Sequence, residues 1–88
     1  MGKGVRQRKV ADYELTVQGS REDVDLFFDS IKMAQYALLM RRFDQVQDPS
    51  QLWILTLTVG GETTELIISQ IAENAGLTVK NIREVQQA

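Results

Sequence analysis

The side chains best suited to acid–base and nucleophilic work are missing from this chain. Its 88 residues include no histidine and no cysteine. That removes the usual general base near neutral pH, the thiolate nucleophile and nearly every structural zinc set. The serines, Ser20, Ser30, Ser50 and Ser69, stand outside any G-x-S-x-G elbow and have no base beside them. Lys32 and Lys80 sit among charged and polar neighbours that read as surface. The acids Glu22, Asp23, Asp25 and Asp29 crowd one short stretch, but a calcium loop would need them in a glycine turn with carbonyl ligands. Here they follow a helical pattern, so a solvated helix face is expected, with Asp25 and Asp29 available to dock a basic partner. The chain reads as non-enzymatic, with no catalytic residue, no metal and no cofactor expected.

Two glycine corners resemble each other: LTVQG at residues 15–19 and LTVGG at residues 57–61. Each leaves a strand-like run and enters a helix-like one, which is where backbone N–H groups can cradle an anion. The second corner lacks the lysine of a P-loop and the third glycine of a dinucleotide fingerprint, and Glu62 beside it repels phosphate. Both are therefore expected to be structural corners. If a small ligand binds, Gly19, Ser20, Gly60 and Gly61 are the positions it would use.

Charge is unevenly distributed. Lys3, Arg6, Arg8 and Lys9 lie in a short arm without acids, leaving six bases against twelve acids in the remaining chain. Residues 1–10 are expected to form a flexible basic arm on an acidic domain at 11–88. Such an arm, together with Arg41 and Arg42, could contact nucleic-acid phosphates, weakly and with strong salt dependence. No apolar run approaches the roughly 20 residues of a membrane span, and no signal-peptide core is evident, so a cytoplasmic location is expected.

The elements follow from periodicity. Tyr13–Gln18 alternates apolar and polar residues, as a half-buried strand does. Ser20 is a natural N-cap with Asp23 completing an approximate capping box. Val24, Phe27, Phe28, Ile31, Ala34 and Leu38 then form a helical stripe. The helix is expected to end near Tyr36–Ala37, followed by a strand over 38–47, a turn at Asp48-Pro49-Ser50 and a strong central strand at Gln51–Val59. Thr63–Asn74 reads as a second helix with Thr64, Ile67, Ile68, Ile71 and Ala75 inward. Thr78–Val85 reads as a last strand that is irregular or at an edge.

The order βαββαβ predicts an α+β ferredoxin-like sandwich: a four-stranded antiparallel sheet with two helices on one face. The alternative is a βαβαβ unit with a longer first helix. Tyr13 and Trp53 are expected to face the helices. That leaves Glu14, Thr16, Gln18, Ile54, Thr56, Thr58 and Arg42 on an open face without aromatic stacking platforms, which disfavours sheet-face RNA binding. Sliding the sequence by 40 matches Leu26 with Leu66, both opposite their helices' stripes, and Met33 joins Leu26 two turns on. These three are candidates for an apolar partner surface. The open sheet face and the strand edge over 38–46 compete with them. Three functions are compatible: a small interaction or regulatory module acting through protein contacts as a homodimer, a nucleic-acid-binding accessory protein, and a dimeric small-molecule sensor similar to ACT domains.

Overall fold

Strand alternation organises the molecule. The structure, a computed structural model, describes residues 10–46 and 51–85. The basic residues Lys3, Arg6, Arg8 and Lys9, and the Asp48-Pro49-Ser50 turn, lie outside the described residues. The elements are β1 (Val10–Gln18), α1 (Arg21–Met33), β2 (Ala37–Gln45), β3 (Leu52–Gly60), α2 (Glu65–Asn74) and β4 (Thr78–Val85). The strands form one antiparallel sheet in the order β2-β3-β1-β4. This is the ferredoxin-like arrangement. β1 starts at Val10, one residue before the domain boundary read from sequence. Among the described residues no helix is long and apolar enough to cross a membrane.

The odd residues of the central strands carry the core. Tyr13, Leu15 and Val17 of β1 and Trp53, Leu55, Leu57 and Val59 of β3 are buried together with Val24, Phe27, Phe28 and Ile31 of α1 and Ile68 and Ala72 of α2. One cluster therefore joins both helices to the same sheet face. Full burial of a side chain the size of Phe27 or Leu55 contributes about 1.5–3 kcal/mol. The even residues turn to the open face, where polar pairs cover the sheet. Thr58 Oγ1 donates to Asp12 Oδ1 at 2.6 Å, Arg83 Nε donates to Glu14 Oε1 at 2.9 Å, and Arg42 Nε lies 3.4 Å from Asp44 Oδ2.

The longer first helix is excluded. α1 stops at Met33, Ala34 caps it, and Gln35 turns into the left-handed region at φ 71°. Tyr36 then packs its ring against Gly61, where an added Cβ would stand 2.9 Å from Tyr36 Cδ1. Gly61 itself has φ 120°, a backbone conformation that favours glycine. Two members of the expected stripe consequently leave it: Ala34 is exposed and Leu38 belongs to β2. In α2, Thr64 is the N-cap, its hydroxyl accepting from Ile67 N at 3.2 Å, and the fully buried positions are Ile68 and Ala72. The corner at Ser20 is as expected, with Asp23 N donating to Ser20 Oγ at 3.1 Å.

Repetition is seen in the strands. β1 and β3 are offset by the same interval that separates LTVQG from LTVGG, whereas the helices start at a slightly larger offset. Leu26 lies in the middle of α1 and Leu66 at the start of α2, so the two are not equivalent positions. β4 runs at an edge, and its register shifts between Thr16 and Val17, leaving Lys80 as the bulged residue. The sequence offers irregularity or an edge position as alternatives, and the strand has both.

Tyr13 ties the core to the entry of α2 through a 2.8 Å hydrogen bond with Thr63 Oγ1. Burial raises its pKa above the ordinary 10.0, the Thr63 hydrogen bond opposes this, and Glu84 and Glu65 add to it. Because the folded value is the higher one, the contribution is fully present below the unfolded pKa and is lost as pH rises through the folded one. Tyr13→Phe is expected to cost about 0.5–1.5 kcal/mol at neutral pH. It should also flatten the loss of stability in alkaline solution, as read by urea denaturation across that range.

Candidate functional site

The two edges of the sheet differ. β4 carries its bulge near its middle, at Lys80, and its Glu84 N–H donates to Glu65 Oε2 of α2 at 2.8 Å. Bulge, lysine and capped N–H all discourage a further strand. β2 has its irregularity near its start, between Leu38 and Met40, and runs in regular register with β3 from Met40 to Gln45. Val46 N donates to Leu52 O at 2.9 Å. In an antiparallel ladder that contact sets the alternation: even residues of β2 hydrogen-bond to β3, and the N–H and C=O groups of Arg41, Phe43 and Gln45 point outward. Leu39 and Met40 are exposed beside this edge.

An aromatic run backs the same strand. Phe43 lies on the helix-facing side, its ring stacked on Trp53 at 6.0 Å and edge-on to Phe28 at 6.1 Å. The first residue of α1, Arg21, sets its guanidinium 4.3 Å from the Phe43 ring centroid. Arg41 lies 5.4 Å from the Phe28 centroid. Arg21, Asp25, Phe28, Arg41, Arg42 and Phe43 border a cleft of about 260 Å³. Arg21 Nε is 3.5 Å from Asp25 Oδ1, and Arg42 is paired with Asp44. Among the described residues no carboxylate lies within ion-pair distance of Arg41. A guanidinium stacked on a ring keeps its in-plane N–H groups free for oxyanions.

The residues singled out by sequence are dispersed. Leu26, Met33 and Leu66 are all exposed, at 47%, 77% and 66%. Only Met33 borders the shallow groove of about 340 Å³ between the helices, together with Ser30, Ala34, Ile71 and Asn74. Asp25 joins the cleft, while Asp29 stays on the exposed surface of α1. Arg41 falls in the helix-facing set of β2 and Arg42 in the open-face set, because their partners in β3 are Leu57 and Thr56.

The glycine corners lie at opposite ends of the sheet: Val10 is opposite Gly60 and Gln18 opposite Leu52. A nine-residue strand separates them, about 26 Å at the usual rise. Gly19 is occupied by its own packing. Its N–H donates to Gln51 O at 3.1 Å, its carbonyl accepts from Trp53 Nε1 at 2.9 Å, and an added Cβ would meet Leu77 at 2.6 Å. Within one chain these corners do not form a shared site.

Sequence reasoning missed Arg21 and Phe43. They belong to different elements, and no periodic pattern links the start of a helix to the middle of an edge strand. The surrounding aromatic residues were the only available signal.

No family model matches the sequence, and no curated protein matches it. Among solved structures, a protein from Galdieria sulphuraria described as unknown is similar over 91% of this chain and 47% of its own, at 13% identity and a TM-score of 0.64. The YXEP protein of Bacillus subtilis, a dinuclear metal-binding peptidase of the M20 family, is similar over 92% of this chain and 28% of its own, at 13% identity and a TM-score of 0.44. The chain thus spans less than half the length of either. At this identity the first likeness concerns the fold alone.

The Arg21–Phe43 contact joins α1 to the edge strand and is partly exposed. A double-mutant cycle of Arg21→Ala and Phe43→Leu should give a coupling of about 0.5–1 kcal/mol, measured by chemical denaturation. A coupling near zero would show that the two side chains act independently.

Proposed function

We propose that this chain is a small, non-enzymatic, cytoplasmic interaction or regulatory module that works through protein contacts as a homodimer. The observation that carries the reading is the contrast between the sheet edges. β4 is obstructed, whereas β2 presents outward backbone groups from Arg41 to Gln45 in uninterrupted register. An open edge is a template for another strand. The polar pairing across the open sheet face favours the edge over that face. A sequence without histidine or cysteine gives the non-enzymatic reading its chemical basis.

Gln45→Pro tests the dimer. Proline removes an N–H that points away from β3, so the monomer's own ladder is spared, while pairing to another strand is blocked. Light scattering across a concentration series should give a dimer for the parent and a monomer for the variant, with unchanged far-UV circular dichroism. A parent that stays monomeric throughout the series removes the reading.

One observation favours a second reading, an anion-binding or nucleic-acid-binding accessory role. It is the gathering of Arg21, Arg41 and Arg42 around one cleft in a chain of net charge −2. On this reading a mobility-shift titration at low salt retards single-stranded nucleic acid, and Arg41→Ala weakens the retardation. Absence of any shift at low salt rules it out.

A further inference from the structure

The β2 sequence, Ala37–Gln45 followed by Val46, restricts how two copies could pair. A continuous sheet across a two-fold axis requires antiparallel β2 strands with helix-facing residues opposite helix-facing residues. Outward-bonding residues must also meet outward-bonding residues. Both conditions are met only when odd residues of β2 oppose odd ones, because a one-residue slip reverses the faces. Four axis positions lie within the residues 41 to 44, and the charges separate these. Centring the axis on Arg41 sets that arginine against its own copy, and centring it on Arg42 does the same for Arg42. Centring it on Asp44 opposes two carboxylates. Like charges directly opposite are unfavourable. Centring it on Phe43 instead sets Arg42 against the partner's Asp44 and Asp44 against the partner's Arg42.

We infer that two copies of this chain pair antiparallel through β2, with Phe43 on the two-fold axis and Arg42 of each copy facing the partner's Asp44. The inference rests on the dimeric reading above and fixes its register. In it Arg41, Phe43 and Gln45 exchange backbone hydrogen bonds with the partner's Gln45, Phe43 and Arg41, using the groups that point away from β3. Arg42 and Asp44 fall in the non-hydrogen-bonded positions, where side chains approach most closely. The exposed Arg42–Asp44 contact within each chain, at 3.4 Å, is exchanged one for one for a contact between chains. Phe43 of both copies meets on the helix-facing side, so the two arginine-lined clefts adjoin at the axis.

The chain has no cysteine of its own, so introduced thiols report the register directly. Directly opposed residues at non-hydrogen-bonded positions lie about 4.5 Å apart at Cα, within disulfide range. Arg42→Cys and Asp44→Cys both replace exposed side chains. The Phe43-centred register predicts a covalent dimer when the two variants are mixed and oxidised, and none from either alone. A dimer from Arg42→Cys alone would place the axis at Arg42, and one from Asp44→Cys alone at Asp44; either overturns the inference. In parallel, Arg42→Asp should abolish dimerisation, and the charge exchange Arg42→Asp with Asp44→Arg should restore it. If light scattering shows a dimer but no combination cross-links, the register is refuted while the dimeric reading survives. A monomeric parent refutes both.

Discussion

The pairing of β1 with β3 is the constraint on which the remaining structure depends. Tyr13 lies opposite Leu57, Leu15 opposite Leu55 and Val17 opposite Trp53, so the odd residues of both strands reach the same side of the sheet. Shifting β1 by one residue against β3 would expose Tyr13, Leu15 and Val17 and bury Glu14 and Thr16 in their place. With the ladder in place, α1 and α2 have one apolar surface to cover, and β2 and β4 are left as the outer strands. Whether each outer strand can accept company is then decided by local details such as a bulge, a lysine or a carboxylate from a neighbouring helix.

Most of this architecture was legible because it rests on patterns of short range. Alternation along β1 and β3, the cap at Ser20 and the glycine corners each announce themselves within a few residues, whereas Thr64, read as part of the inward stripe of α2, is instead its N-cap. Even the irregularity of β4 showed in the uneven spacing of Val79, Ile82 and Val85. The end of α1 was less legible. The residues after Met33 are good helix formers, and what stops the helix is a left-handed Gln35 followed by Tyr36 seated against Gly61. That contact joins the first and second halves of the chain, and a pattern confined to one window cannot register it.

The candidate site was legible only in fragments. Arg41, Arg42 and Asp25 stood out as charges, but strand parity sends the two arginines to opposite sides of β2, and no charge count reveals that. Phe43 looked like one more apolar residue in a run of them. Its importance comes from Trp53 of β3 beneath it and from Phe28 and Arg21 of α1 around it, so two other elements converge on its ring. The glycine corners carried a clear local signal and proved distant from each other, because the strands they terminate run in opposite directions.

Trp53 is the only tryptophan in the chain. Its indole N–H is held by the Gly19 carbonyl, and its ring stacks on Phe43. The molecule therefore contains a single indole fluorophore with one face in the core and one neighbour at the open edge. Its emission reports two events at once: loss of the β1–α1 corner on unfolding, and any rearrangement of Phe43 when the edge becomes occupied. The proposed assembly at β2 can accordingly be tested optically in the unlabelled protein, with tyrosine excitation avoided by choice of wavelength.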